Sequence, residues 1–451
     1  MDFTFIVAVT HEKVNAPREK EREAAQMRID AEQYSGVCAC GSEHRMETRF
    51  CVIGTGVLSG LEDFLAEAAL TGRRCAVYDA HTYEAKNLRR PRAEQEIVLS
   101  PDHLHANERS TAEVLQRLHG DTAVLIAVGG GTVHDIVRYC AKQRGIPFVS
   151  VPTAASCDGF CSNVASMTWE GYKNTMPCGA PVLAAADLAV ICEAPRYLTN
   201  SGIGDMIGKF TALADWRIAH AAAGEVVCER IERVMQEALA QVWDHALEIR
   251  EGVPESYEAV TYGLLMSGLA IQMLGTSRPA SGGEHHISHL IEMEPAGLGV
   301  RSEALHGEKV GVGTILASGE YHRLAEIQDL TAEALPYRPI DQTALRDFFG
   351  PDLYPVAQRE NQRDCLATVT EDALIRAWPR IREIVARIPA AEEIESRLRA
   401  LGAKHTLEDI GVPEEKRDVL LEYSPLVRNR LTLMRIRRMI RGTEAGFGFH
   451  S

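Results

Sequence analysis

The sequence predicts a parallel α/β domain over residues 49–195 and an all-helical domain over residues 196–451, with residues 1–48 as an extension ahead of both. Three observations carry this. From Arg49 to about Ile191, apolar strand-like runs alternate with amphipathic helix-like runs, the pattern of parallel strands joined by helical crossovers. A glycine triplet, Gly129-Gly130-Gly131, stands where one strand hands over to a helix. Beyond Pro195 the strand signals vanish and long helical stretches take over.

The first ten residues contain an apolar run of five behind an acid. They lack the basic start and cleavage signature of a signal peptide and read as a strand. Residues 11–48 are rich in Glu, Arg and Lys, and the stretch from Glu19 to Gln33 is helical in composition, so a surface helix and linker are expected. Arg49–Gly54 reads as a strand, Gly56–Leu70 as an amphipathic helix, and Arg74–Asp79 as a second strand ending on an acid. Thr122–Gly129 is a buried strand, and Ile146–Thr153 is another. From Thr153 to about residue 192 the pattern is irregular and hairpin-like. Helices are then expected over Asp205–His220, Glu225–Leu239, Tyr262–Leu274 and Leu420–Arg437.

The chain has 451 residues, 45% hydrophobic and 25% charged, enough for two domains with a large core. A net charge of −15 argues against nucleic acid and anionic membrane as partners, so an anionic substrate must meet local cations. No stretch approaches the ~18 apolar residues of a membrane span. The eleven cysteines form no even framework, which points to reduced thiols in a cytoplasmic protein. Cys38-Ala-Cys40 has the wrong spacing for a CxxC pair and no second pair follows, so it reads as inert.

Two loops behind strands suit a ligand. In Gly129-Gly130-Gly131-Thr132-Val133-His134-Asp135, glycines let the backbone approach a pyrophosphate, and the helix start offers free N–H groups. The spacing is not G-x-G-x-x-G, and Thr132 with Asp135 also suits an N-cap with an acid three residues on. Asp79 is placed either to accept hydrogen bonds from an adenosine ribose or to shape its own loop. From Pro152 to Ser162, the hydroxyls of Thr153, Ser156 and Ser162 can bind a ligand, while Asp158-Gly159 suits a tight turn.

The most chemical stretch is Glu284-His-His-Ile-Ser-His289 followed by Leu305-His-Gly-Glu308. His285 and His289 are four residues apart, so on a helix they share a face and make half of a metal site. His306 and a carboxylate from elsewhere would complete it. His286 reads as a polar, exposed bystander.

G-G-G-T-x-x-D, P-T-A-A-S-x-D-G, G-x-G-D, E-H-x-x-x-H and H-G-E-K-V, in this order, are more specific than any one of them. Together, over roughly residues 49–330, they resemble the superfamily of dehydroquinate synthase, glycerol dehydrogenase and the iron-containing alcohol dehydrogenases. Within it the chain looks most like the sn-glycerol-1-phosphate dehydrogenases. The resemblance implies a dehydroquinate synthase-like architecture with a Rossmann-like N-terminal domain, NAD(P), one divalent ion (zinc, with nickel as the alternative) and an even-numbered homo-oligomer. It implies metal ligands at Asp205, His285 and His306, with an open coordination position for a substrate oxygen, so that Asp205 also counts among the substrate-binding residues. It implies substrate contacts at Asp158 and His289, and cofactor contacts along residues 131–135, at Thr153, Ala154, Ala155 and Ser156, and at Ser162. The implied reaction is hydride transfer between the nicotinamide and C2 of dihydroxyacetone phosphate.

Three departures separate the relatives. Iron alcohol dehydrogenases carry a fourth ligand, His, where this chain has Lys209; glycerol dehydrogenases space the first two histidines at three; dehydroquinate synthases open with Glu rather than Asp205. Lys209 is then the expected phosphate cation. A longer loop over residues 293–304 is expected to affect access. Alternatives are a polyol dehydrogenase with an unphosphorylated substrate, a dehydroquinate synthase-type lyase, and a non-enzymatic metal- or nucleotide-binding module.

Overall fold

The computed structural model describes residues 26–442, so the strand expected over the first ten residues lies outside the described part. From Met27 the expected helix is instead a strand. β1 (Met27–Asp30) pairs antiparallel with β4 (Phe50–Gly54), and between them β2 (Gly36–Val37) and β3 (Glu43–His44) form a small hairpin. Helical composition loses here because β4 offers a free edge and Ile29 alternates inward, while Arg28 turns out to pair with Glu67.

β5 (Arg73–Asp79), β6 (Gln95–Leu99), β7 (Thr122–Gly129), β8 (Phe148–Pro152) and β11 (Leu183–Asp187) complete a seven-stranded sheet. Its order is β1-β4-β11-β8-β7-β5-β6, parallel throughout except for β1. β7 and β8 are near-continuous buried runs because helices cover both faces. α1 (Leu61–Glu67) packs on one face, with Val57, Leu61 and Leu65 against Val52 and Ala76. After the four-residue α2 (Ala80–Tyr83), α3 (Glu108–Arg117) and α4 (Gly131–Arg144) cover the other face. The irregular region is the predicted hairpin, β9 (Val164–Trp169) with β10 (Tyr172–Pro177). The short α5 (Leu188–Ile191) follows β11.

Past Pro195, every named element is helical: α6 (Arg196–Ile207), α7 (Lys209–Ala223), α8 (Glu229–His245), α9 (Pro254–Leu274), α10 (Gly283–Met293), α11 (His306–Ala325), α12 (Gln342–Glu360), α13 (Glu371–Val385) and α14 (Ala391–Leu401). The expected helix over Leu420–Arg437 is broken. α15 (Arg417–Tyr423) stops before Pro425, a 3-10 turn follows over Ser424–Leu426, and the α-helix resumes only over Leu433–Ile436, as α16. The segment between wraps the core, with Arg435 fully buried on the carbonyls of Pro425 and Arg428. No helix among the described residues is long and apolar enough to cross a membrane.

Candidate active site

β5, β7 and β8 deliver their C-terminal ends to one side of the sheet, where parallel α/β sheets bind ligands. There a cavity of about 1100 Å³ runs between the sheet and the helical half. Gly130, Gly131, Thr132, Val133 and Asp135 line it, as do Thr153, Ala154, Ser156 and Ser162. Asp79 lines it too, although its carboxylate also caps α2 through Thr82 N (2.9 Å) and Thr82 Oγ1 (2.8 Å).

Three predicted cofactor residues serve the turn from behind. Gly129 stands at φ +158°, and a Cβ there would meet Val133 Cγ2 at 2.9 Å, so glycine lets α4 press against its own strand. His134 is buried, holding Gly130 O at 2.9 Å and Ser150 Oγ at 2.8 Å. Burial pushes its pKa down to about 3. Ala155 is buried and lies outside the cavity lining. The N-cap of α4 is Gly130, so Thr132 lies inside the helix and does not cap it.

At the cavity's other end stand Asp158, Asp205, His285, His289 and His306. α6 and α11 bring Asp205 and His306 together because glycines face backbone. A Cβ on Gly204 would lie 2.3 Å from Gly307 O, and one on Gly307 would lie 1.9 Å from Ser201 O. α10 adds His285, whose Nε2 is 3.5 Å from Asp205 Oδ1. The ligand atoms of Asp205, His285 and His306 lie within 4.8 Å of one another. One carboxylate and two imidazoles suit a zinc-like ion with a coordination position left for substrate.

Two glutamates that sequence reasoning passed over aim these rings. His285 Nδ1 bonds Glu284 Oε1 at 2.7 Å, and Glu284 is held by Gly282 N and Thr211 Oγ1. Glu292 takes His306 Nδ1 at 2.8 Å and His289 Nδ1 at 3.3 Å. With each Nδ1–H donating to a carboxylate, Nε2 is the nitrogen each ring has left to offer an ion or a substrate. His289, Glu292 and His306 also cluster closely enough to hold an ion. We assign Glu292 the orienting task instead, because both imidazoles already spend their Nδ1 on it. The signal was visible: an acid beside His285, and another three residues after His289.

His286 is not exposed. It is fully buried, and neither ring nitrogen finds a hydrogen-bond partner among the described residues. Burial and nearby arginines push its pKa down, so it packs as a neutral ring away from the cavity.

Lys209 is fully buried, with Nζ 2.7 Å from Asp205 Oδ1 and 2.8 Å from Asp158 Oδ2. Burial lowers its pKa, but the two carboxylates outweigh this and leave it raised. It does not line the cavity, and a phosphate could reach it only by displacing a carboxylate, which argues against the phosphate role expected from the sequence. Asp158 also accepts Ser267 Oγ at 2.8 Å, and its backbone N–H donates to Asp205 Oδ2 at 3.1 Å. A cation that does line the cavity is Lys173 on β10, 3.7 Å from Glu292 Oε2. Of the loop over residues 293–304, no residue lines the cavity.

A nucleotide-type turn facing, across one cleft, three residues that could hold a metal ion suits a metal-dependent dehydrogenase. The family model of iron-containing alcohol dehydrogenases matches residues 52–195. A probable glycerol dehydrogenase from Sinorhizobium meliloti shares the fold, with a TM-score of 0.56 at 17% identity over 84% of this chain and 88% of that one. The glycerol-1-phosphate dehydrogenase [NAD(P)+] of Bacillus licheniformis is 33% identical over 414 residues, 89% of this chain and 92% of its own. That of Bacillus velezensis is 41% identical over 278 residues, 59% of this chain and 70% of its own. The chain belongs to the glycerol-1-phosphate dehydrogenase family.

Proposed function

We propose that this chain interconverts dihydroxyacetone phosphate and sn-glycerol 1-phosphate with NAD(H) or NADP(H). The observation that carries the reading is the cluster of Asp205, His285 and His306, set across one cavity from the Gly130–Asp135 turn. Asp205, His285 and His306 would hold a divalent ion, zinc or nickel, which would supply Lewis-acid chemistry to the C2 oxygen, and the glycine turn would hold the dinucleotide that supplies the hydride. The chain's own residues orient and exclude. The Gly130-Gly131 backbone, at the start of α4, would hold the pyrophosphate.

His289 is neutral near pH 7, because burial outweighs Glu292 and pushes its pKa down to about 3. Its Nδ1–H is committed to Glu292, so Nε2 accepts a hydrogen bond from a substrate hydroxyl. Asp158, pinned by Lys209 and Ser267, holds a second hydroxyl. Lys173 meets the phosphate as a point charge. Lys209 neutralises the Asp158–Asp205 pair and keeps that face of the site in place.

The test is NADH and NADPH oxidation by metal-replete protein, with dihydroxyacetone phosphate against dihydroxyacetone, followed by the product's chirality. Preference for the unphosphorylated ketone would move the reading to a polyol dehydrogenase. We also infer an even-numbered homo-oligomer, checked by light scattering, and a cytoplasmic enzyme.

A further inference from the structure

The sequence gives Cys38-Ala-Cys40 no partner, but the fold does. The β2–β3 hairpin carries Cys38, Cys40 and His44, and closes onto Cys228 at the N-cap of α8. Cys38 Sγ is 3.7 Å from Cys228 Sγ, Cys40 Sγ is 3.6 Å from His44 Nε2, and Cys228 Sγ is 3.3 Å from the same Nε2. All four ligand atoms lie within 4.8 Å of one another. A tetrahedral zinc ion with its usual Zn–S and Zn–N bonds spaces sulfurs about 3.8 Å apart and sulfur from nitrogen about 3.6 Å apart.

We propose that Cys38, Cys40, His44 and Cys228 bind one zinc ion at a structural site separate from the catalytic one. None of the four residues lines the catalytic cavity. Four protein ligands close the coordination sphere, so the ion has no place for substrate. His44 is 2% exposed, and its Nδ1 is 2.6 Å from Met273 O. That bond fixes the tautomer with Nε2 free to ligate, as an outer partner of a zinc histidine does. Three thiolates and an imidazole select zinc over hard cations. On binding, the three thiols lose their protons to solvent; nothing is oxidised or reduced.

The site's place in the fold says what it holds. Cys228 starts α8, and Met273 lies in the last turn of α9. Just past His44, Glu47 N and Thr48 N donate to Gln272 Oε1, and Gln272 Nε2 in turn reaches Cys161 O. The chain after α9 supplies Ser277, Ala280 and Ser281 to the cavity wall, then enters α10 and His285. The ion therefore staples the hairpin to the joint from which the catalytic histidines are hung.

Metal analysis of the protein as isolated is expected to give one zinc per chain beyond the catalytic ion. His306→Ala should lose the catalytic ion and keep this zinc, while Cys40→Ser should do the reverse. Should Cys40→Ser fail to fold, the wild-type protein reconstituted with Co²⁺ gives a second readout. Thiolate ligation produces intense near-ultraviolet charge-transfer bands that an Asp-His-His site lacks. One metal per chain with no such bands, or a Cys38–Cys228 disulfide recovered from the freshly isolated protein, would overturn the proposal. Neither outcome bears on the dehydrogenase reading, which stands or falls on turnover.

Discussion

Lys209 Nζ lies 2.7 Å from Asp205 Oδ1, one helical turn along, with both side chains fully buried. The lysine thus occupies the position from which a fourth imidazole would reach the ion. Replacing it with Met leaves Asp158 and Asp205 facing each other without a cation, which costs about 3–5 kcal/mol for a buried pair. Lys209→Met is expected to melt earlier and to lose about 100-fold in kcat. Lys209→His is expected to retain metal more tightly against a chelator yet turn over more slowly, because the open position fills. A Lys209→Met enzyme with unchanged kcat would refute this account.

Local signals made the site readable before the fold was known. His285 and His289 share a face by spacing alone, and the glycine turn sits between its strand and helix as expected. What sequence could not show was assembled across the chain. Lys173 reaches Glu292 from a hairpin 119 positions earlier (292 − 173), and Cys228 meets His44 from 184 residues away. β1 was hidden for a different reason. An edge strand with charged outward residues has the composition of an exposed helix, and only pairing with β4 decides between them.

The metal must compete with a proton at His285. In the metal-free protein, burial lowers the pKa of this imidazole, but Asp205 and Glu284 outweigh burial and raise it to about 9. Below that pH the ring is protonated and cannot ligate. Each ion bound therefore expels one proton, and apparent affinity should rise about tenfold per pH unit from about pH 7 to about 9, then level off. Titrating the metal-free protein at several pH values checks this; a flat profile over that range would rule it out.

Glu292 acts through the two rings it holds. Glu292→Gln keeps the shape but weakens the bonds that set the His306 and His289 tautomers. Metal affinity or kcat should fall by about 10–100-fold, the usual loss for an outer partner of a metal ligand. Added metal should restore the part due to occupancy and leave the part due to His289. Full recovery under saturating metal would show that Glu292 serves the ion alone.

Lys173 is the residue on which substrate choice should turn. Lys173→Ala is expected to raise KM for dihydroxyacetone phosphate by at least about 10-fold, with little change for dihydroxyacetone, since only the former presents a phosphate to that charge. Lys173 also faces Glu292, so metal content must be measured alongside. Equal losses for both ketones would mean that the lysine supports Glu292 rather than the phosphate.

The metal cluster depends on how closely two helices approach. α6 and α11 touch backbone to backbone next to the ligands themselves, with Gly204 before Asp205 and Gly307 after His306. A methyl on Gly307 would lie 1.9 Å from Ser201 O, a carbonyl that no rotamer change can move. The helices must separate, and His306 moves away from Asp205. Gly307→Ala should cost about 1–3 kcal/mol as an overpacked contact, and it should lose metal out of proportion to that loss. Gly319 supplies the control. It sits in the same helix, but a Cβ there meets Ala391 Cβ at an ordinary 3.6 Å. Gly319→Ala should therefore be neutral or stabilise by up to about 1 kcal/mol, since alanine favours the helix. Paired melting curves and metal analysis separate the two. If both variants keep the ion, the close crossing serves packing alone and the ligands are held by the glutamates behind them.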